Sequence, residues 1–150
     1  MSRFLLSPFA RVLETFVDEI VFLTWDELLA IHEDQLQRYG GQDGFIDEGG
    51  VHSALARAQF SAGYNTDADL ADLAADYMFG LSTTQGFVDG NKRTGLACAA
   101  VFLRRNGWQL ALSDKLMYIV VMAVARKELD CDALADILRT HMSELPDVAE

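Results

Sequence analysis

The chain has 150 residues, 51% of them apolar, and a net charge of −11. That length and apolar share suit one domain with a real core, and no apolar run reaches the roughly 18 residues a membrane span needs. The acidic balance argues against general nucleic-acid binding, which relies on clustered cations to displace counterions; it suits a soluble surface or a basic partner segment.

The N-terminus carries one early Arg and a short apolar patch, but Glu14, Asp18 and Glu19 follow too soon for a signal peptide. Ser7-Pro8 then opens the first expected helix, since Ser caps well and Pro is favoured at the first helical position. Phe9, Val12, Leu13, Phe16, Val17 and Ile20 recur at helical spacing along it. A second helix is expected from Thr24 or Asp26, with Leu28, Leu29, Ile31, His32 and Leu36 along it and Gly40-Gly41 as its stop. The stretch Tyr39 to Asp47 is rich in Gly and turn formers, with Phe45-Ile46 as a short extended piece.

A short helix is expected over 49–57. Asp67 or Asp69 caps the next, with Leu70, Leu73, Ala74, Tyr77, Met78 and Leu81 on one face. Another runs from about Asn91 to Asn106; its small residues and near-uniform apolarity predict a central buried helix, with Arg104-Arg105 at its C-terminal end. Two more begin at Ser113 or Asp114 and at Asp130 or Asp132, and His141 adds a favourable charge near the end of the last. Pro146 and the acidic tail read as disordered. Cys98 and Cys131 sit in apolar helical patterns and read as reduced core residues, which points to a cytoplasmic protein. Strand signals are too few for a large sheet, so the expected class is all-α, with six or seven helices.

Between two of these helices lies Gln85-Gly86-Phe87-Val88-Asp89-Gly90-Asn91-Lys92-Arg93-Thr94. A loop that ends in a helix start presents unpaired N–H groups and a partial positive charge, a natural anion site. Gly90 lets the backbone approach an anion closely. Lys92 and Arg93 add full charges, and the Arg fork matches phosphate oxygens. Asp89 is a candidate Mg²⁺ ligand, because Mg²⁺ takes one or two carboxylates and fills its other positions with water and substrate phosphates; its alternative role is the cap of the following helix.

This stretch resembles the signature of the Fic/Doc (Fido) family, and of its Doc (death-on-curing) toxin branch in particular, usually written His-x-Phe-x-Asp-(Gly/Ala)-Asn-Lys-Arg-Thr. The match runs from Phe87 through Thr94, and the whole resemblance covers roughly residues 22–143. It implies a Fido-type helical bundle with a small β-hairpin flap, preceded by an N-terminal extension over 1–21 and followed by a tail over 144–150. The extension is then a surface helix, a homodimer face or a cover over a family groove. The flap is Gly41, Gly44, Phe45, Ile46 and Asp47, which in the family lines a target segment by strand addition. The resemblance makes Asp89 the magnesium ligand, Gly90-Asn91 the anion hole, and Lys92 and Arg93 the phosphate contacts. It implies transfer of phosphoryl, or of AMP, from ATP to a hydroxyl side chain of a protein target such as a translation elongation factor. It also implies an antitoxin partner.

One departure matters. Where the family has His, this chain has Gln85. The attacking hydroxyl needs a base, and an imidazole titrates near neutrality. An amide oxygen accepts hydrogen bonds but is essentially non-basic. Two readings follow: a Doc-like enzyme without its standard base, or an inactive Fido protein that binds nucleotide or a partner. His32 is a minor candidate for a replacement base, against a structural role on its helix.

Overall fold

The computed structural model describes residues 19–146. Of the helix expected over 7–20, only Glu19 and Ile20 fall among the described residues, and neither is helical. Six helices follow: α1 (Trp25–Tyr39), α2 (Glu48–Tyr64), α3 (Leu70–Thr84), α4 (Asn91–Arg105), α5 (Asp114–Ala125) and α6 (Cys131–Thr140). Two short strands, β1 (Trp108–Leu110) and β2 (Met142–Glu144), pair antiparallel with Gln109 opposite Ser143. No described helix is long and apolar enough to cross a membrane.

The helix starts are written in the sequence. Thr24 and Glu27 form a reciprocal capping box at α1, and Asp69 and Asp72 form another at α3. Asp47, Ser113 and Asp130 cap α2, α5 and α6 through their side chains. Gly40, at φ 82°, stops α1 where a side chain would be strained. At the end of α6, His141 Nδ1–H donates to the Ile137 carbonyl at 2.8 Å and satisfies an otherwise orphaned acceptor.

The central helix is α3, not the Asn91–Asn106 helix that its small residues suggested. α3 buries ten of its fifteen residues and packs against α2, α4, α5 and α6. α4 buries only six, because Lys92, Arg104 and Arg105 keep one side in solvent. Small residues set these crossings. A Cβ on Gly80 would lie 3.3 Å from that of Ala54 on α2, and a Cβ on Gly95 would lie 2.9 Å from the Met78 carbonyl of α3. α2 runs well past the expected end at 57, because Ala58 is fully buried and carries the helix on to Tyr64.

The small antiparallel sheet joins the chain after α4 to the chain after α6. Glu144, where the tail was expected to begin, is paired in β2, and the Leu145 N–H reaches the Gly107 carbonyl at 2.9 Å. The entry to α1 is pinned too. The Leu23 N–H donates to the Tyr77 hydroxyl at 3.1 Å in the core, and burial pushes that phenol up to about 12.

Two measurements test this packing. Gly95→Ala forces α4 away from the α3 backbone, and we expect a loss of about 1–3 kcal/mol in urea unfolding. Gly63→Ala, on a helix with open space around it, should instead be neutral or gain about 0.4–1 kcal/mol. Equal effects at the two sites would contradict the close α3–α4 crossing.

Arg139 supplies the second. Its guanidinium reaches Asp69 at 2.8 and 3.0 Å, Asp72 at 3.1 Å and Asp136 at 2.7 Å. The Arg139 hydrogen bond is the largest cause holding the Asp69 carboxyl at about 2, below its ordinary 3.8. A depressed carboxyl stabilises the fold above its unfolded value, and that contribution fades as pH falls through the folded one. Arg139→Ala should therefore narrow the difference in stability between about pH 5 and about pH 2; an unchanged difference would remove this ion cluster from the acid response.

Candidate active site

The signature loop and the flap are one zipped unit. Val88 N–H donates to the Gly44 carbonyl at 2.9 Å, and Ile46 N–H donates to the Gly86 carbonyl at 2.7 Å. These bonds flank an antiparallel bridge between Phe45 and Phe87. The Asp47 N–H also reaches the Gly86 carbonyl, at 3.0 Å. Gly41 and Gly44 sit at φ 125° and 122°, where the chain bends, and the flap residues do not pair with one another. It takes the signature loop as its partner instead.

In such a pair the bridged residues point their own N–H and C=O groups away from each other. On the loop side the Asn91 side chain captures them: Phe87 N–H donates to Oδ1 at 3.0 Å, and Nδ2 donates to the Phe87 carbonyl at 2.9 Å. The Asn91 amide thus braces the loop. On the flap side, the Phe45 N–H and carbonyl have no protein partner among the described residues. That edge is open, beside an exposed Phe45 and an Ile46 that is 73% exposed.

Gly86 permits this approach. A Cβ there would lie 2.6 Å from the Asp47 carbonyl. One oxygen of the neighbouring Asp47 carboxylate accepts the Gly50 N–H and caps α2, so Asp47 ties the end of the flap to that helix. Gln85 ends α3 in the left-handed conformation, with φ 52° and ψ 46°, and is exposed.

The floor of the unit is aromatic. Phe87 is fully buried and stacks on His32 with centroids 3.7 Å apart. His32 is 2% exposed, and its Nε2–H donates to the Asp89 carbonyl at 2.8 Å. This overturns His32 as a replacement base: its ring is sealed and it holds the loop. Phe45 stacks between Phe87 at 5.3 Å and Trp25 at 5.9 Å, and Trp25 carries His52 at 3.6 Å. Five rings from α1, α2, the flap and the loop thus form one ladder. The sequence reading missed it, because its members lie on separate elements; the signal was the His at the fourth position after Leu28, on the core face.

Asp89 does not cap α4. One of its oxygens accepts the Gln42 N–H at 2.7 Å, which ties the flap to the loop; the other has no hydrogen bond among the described residues. Gly90, at φ 85°, occupies the cap position, and α4 has no side-chain cap. The other five described helices all have one. The N–H groups of Asn91, Lys92 and Arg93 therefore have no protein acceptor among the described residues. Lys92 is exposed and makes no ion pair there. Arg93 donates to the Gly40 carbonyl at 3.0 Å and lies 5.5 Å from the Tyr39 ring centre. Asp89, Gly90, Asn91, Lys92 and Arg93 thus stand at one helix start, and Gln85 ends the helix before it. No group of three His, Cys, Asp or Glu converges among the described residues, so any cation here takes at most part of its coordination from protein.

Gly86→Ala tests the zipper. We expect a loss of about 1–3 kcal/mol and faster amide exchange at Ile46, Asp47 and Val88 than in the core of α3. Unchanged exchange at these three amides would mean that the flap does not depend on the Gly86 contact.

The comparisons agree with this geometry. A family model described as the Fic/DOC family matches residues 22–103, which include the flap, the loop and the start of α4. The chain is 38% identical over 114 residues to the protein kinase doc of Escherichia phage P1, covering 76% of this chain and 90% of that protein. It is 37% identical over 101 residues to the toxin Doc of Mycolicibacterium smegmatis, covering 65% of this chain and 77% of that one. The chain belongs to the Fic/DOC family, on the side of its Doc toxins.

Proposed function

We propose that this chain is a Doc-like transferase scaffold that binds ATP at the start of α4 and presents a protein hydroxyl along the flap. The observation that supports it is the uncapped N-terminus of α4. Three N–H groups without protein acceptors, Lys92 and the remaining donors of Arg93 meet there, and an anion is what such an end lacks. Cations at a helix start are misplaced unless an anionic ligand offsets them.

The free oxygen of Asp89 fits a Mg²⁺ that shares the phosphates. Such an ion would neutralise charge that develops on the phosphate oxygens. The target segment adds to the open edge at Phe45, with Ile46 as an apolar contact. A target hydroxyl oxygen bonds to the γ-phosphorus, the bond to the bridging oxygen breaks, and ADP leaves. For AMP transfer the same attack falls on the α-phosphorus and pyrophosphate leaves. By family likeness the target is a cytoplasmic protein such as a translation elongation factor, and an antitoxin restrains the chain.

The hydroxyl proton is where this chain departs from the scheme. Gln85 cannot take it. Of the three histidines, His32 is sealed against Phe87, His52 stacks on Trp25, and His141 ends α6. With His32 engaged in holding the loop and no imidazole at position 85, a second reading keeps its place: a module that binds nucleotide or a partner and does not turn over.

Gln85→His separates the two. His tolerates the left-handed conformation better than most residues, and the exposed position makes the exchange nearly neutral for stability. Both forms are expressed inducibly in bacteria, and label transfer from γ- and α-labelled ATP is followed in lysate. We expect growth arrest and at least about 10²-fold faster transfer with His, the label position reporting phosphoryl or AMP. Equal activity of the Gln form would place the base elsewhere. A folded His form that binds ATP and modifies nothing would favour the binding module.

A further inference from the structure

A groove of about 630 Å³ runs between α2 and α3 from Thr83 and Thr84, just before the signature loop, to the start of α6. That volume lies in the range of small-ligand pockets. Three features that the transfer chemistry does not use converge there. On the floor is Asp76, 6% exposed and in the middle of the most buried helix. One of its oxygens accepts Arg57 Nε–H at 3.0 Å and the Cys131 thiol at 3.5 Å. The other accepts no hydrogen bond among the described residues. It is not sealed either, because only Ser82 Oγ and Thr94 Oγ1 are both sealed and unpartnered there. Asp76 therefore offers an acceptor to the groove.

The rim carries Phe60 and Tyr64, one turn apart on α2 and 70% and 79% exposed. Two large rings in solvent beside a cavity are a contact surface in want of a partner. The charge of the wall is the third feature. Asp72, Asp76 and Asp132 line it against the single guanidinium of Arg57. Arg57 is already engaged by Asp76 and lies over the Phe79 ring at 5.1 Å. Asp72 shares Arg139 with Asp69 and Asp136, so three carboxylates divide one cation just behind the rim. The groove is short of positive charge.

We propose that this groove is a second ligand site, for a molecule that joins a guanidinium or ammonium group to a planar apolar part. The cation pairs with Asp76 from the open side, and the planar part lies against Phe60 and Tyr64. The chemistry is that of a small aromatic amine or of a basic side chain on a peptide.

The test is amide chemical-shift titration of the full chain. The probes are tyramine, its anionic counterpart 3-(4-hydroxyphenyl)propionate, and a capped Arg-Tyr-Arg tripeptide. We expect saturable shifts at Ser53, Arg57, Ser61 and Cys131 with a cationic probe, at a Kd below about 1 mM, and none with the anion. A tripeptide that binds at least tenfold tighter than tyramine identifies a polypeptide source; the reverse identifies a small amine. Tyr64→Ala and Asp132→Asn change exposed side chains, so both should fold, and each should weaken binding several-fold. Asp76→Asn, if folded, should abolish it. No localised shift with either cation, equal shifts with the anion, or unchanged binding in both exposed variants would overturn the proposal.

Discussion

The arrangement of this protein's signature loop rests on the carbonyl of Gly86. It accepts two N–H groups from the flap, Ile46 at 2.7 Å and Asp47 at 3.0 Å. No other residue type fits at position 86, because a Cβ would meet the Asp47 backbone. Once that contact forms, Phe45 falls opposite Phe87, and Phe87 falls onto His32. His32 then holds the Asp89 carbonyl, and Asp89 holds Gln42. The loop is fixed from several sides before any ligand arrives. Such preorganisation is what an anion site needs if binding is not to be offset by ordering.

Asparagine amides clasp chain near both ends of α4. Asn91 grips both backbone groups of Phe87 at its start, and Asn106 grips those of Val21 at its end, at 2.9 and 3.0 Å. Each amide imitates the edge of a strand. At the C-terminal end this closes the helix. At the N-terminal end it settles the loop but leaves the first N–H groups of the helix bare. Capping is otherwise routine among the described helices, so the bare start at Gly90 sets α4 apart from the other five.

Much of this was legible because it is local. Caps are read to within a residue or two: Thr24, Asp69, Ser113 and Asp130 are each one of the two positions the sequence offered for that helix start. The signature stretch was legible as the mark of a family, because its residues are contiguous in sequence, and the comparisons bear the family out. The choice of central helix was not. Ala71, Ala74, Ala75 and Gly80 mark close approach no more loudly than the small residues of α4, and Asp76 makes α3 look more polar than its burial. The role of His32 was hidden for another reason: its partners lie 55 and 57 positions away, and periodicity reports only which face a residue occupies. That the Asn91 amide braces Phe87 and that Asp47 caps α2 was hidden as well, because the sequence shows a polar group but not which backbone neighbour it binds.

The account stands on the start of α4 being an anion site aimed at a nucleotide. Calorimetry with ATP, with and without magnesium, tests this directly on the unaltered chain and on Lys92→Glu. The account requires saturable heat at millimolar ATP or below, stronger with magnesium, and its loss in the variant while the fold is kept. An unaltered, folded chain that gives no heat with ATP at millimolar levels in either condition would contradict it.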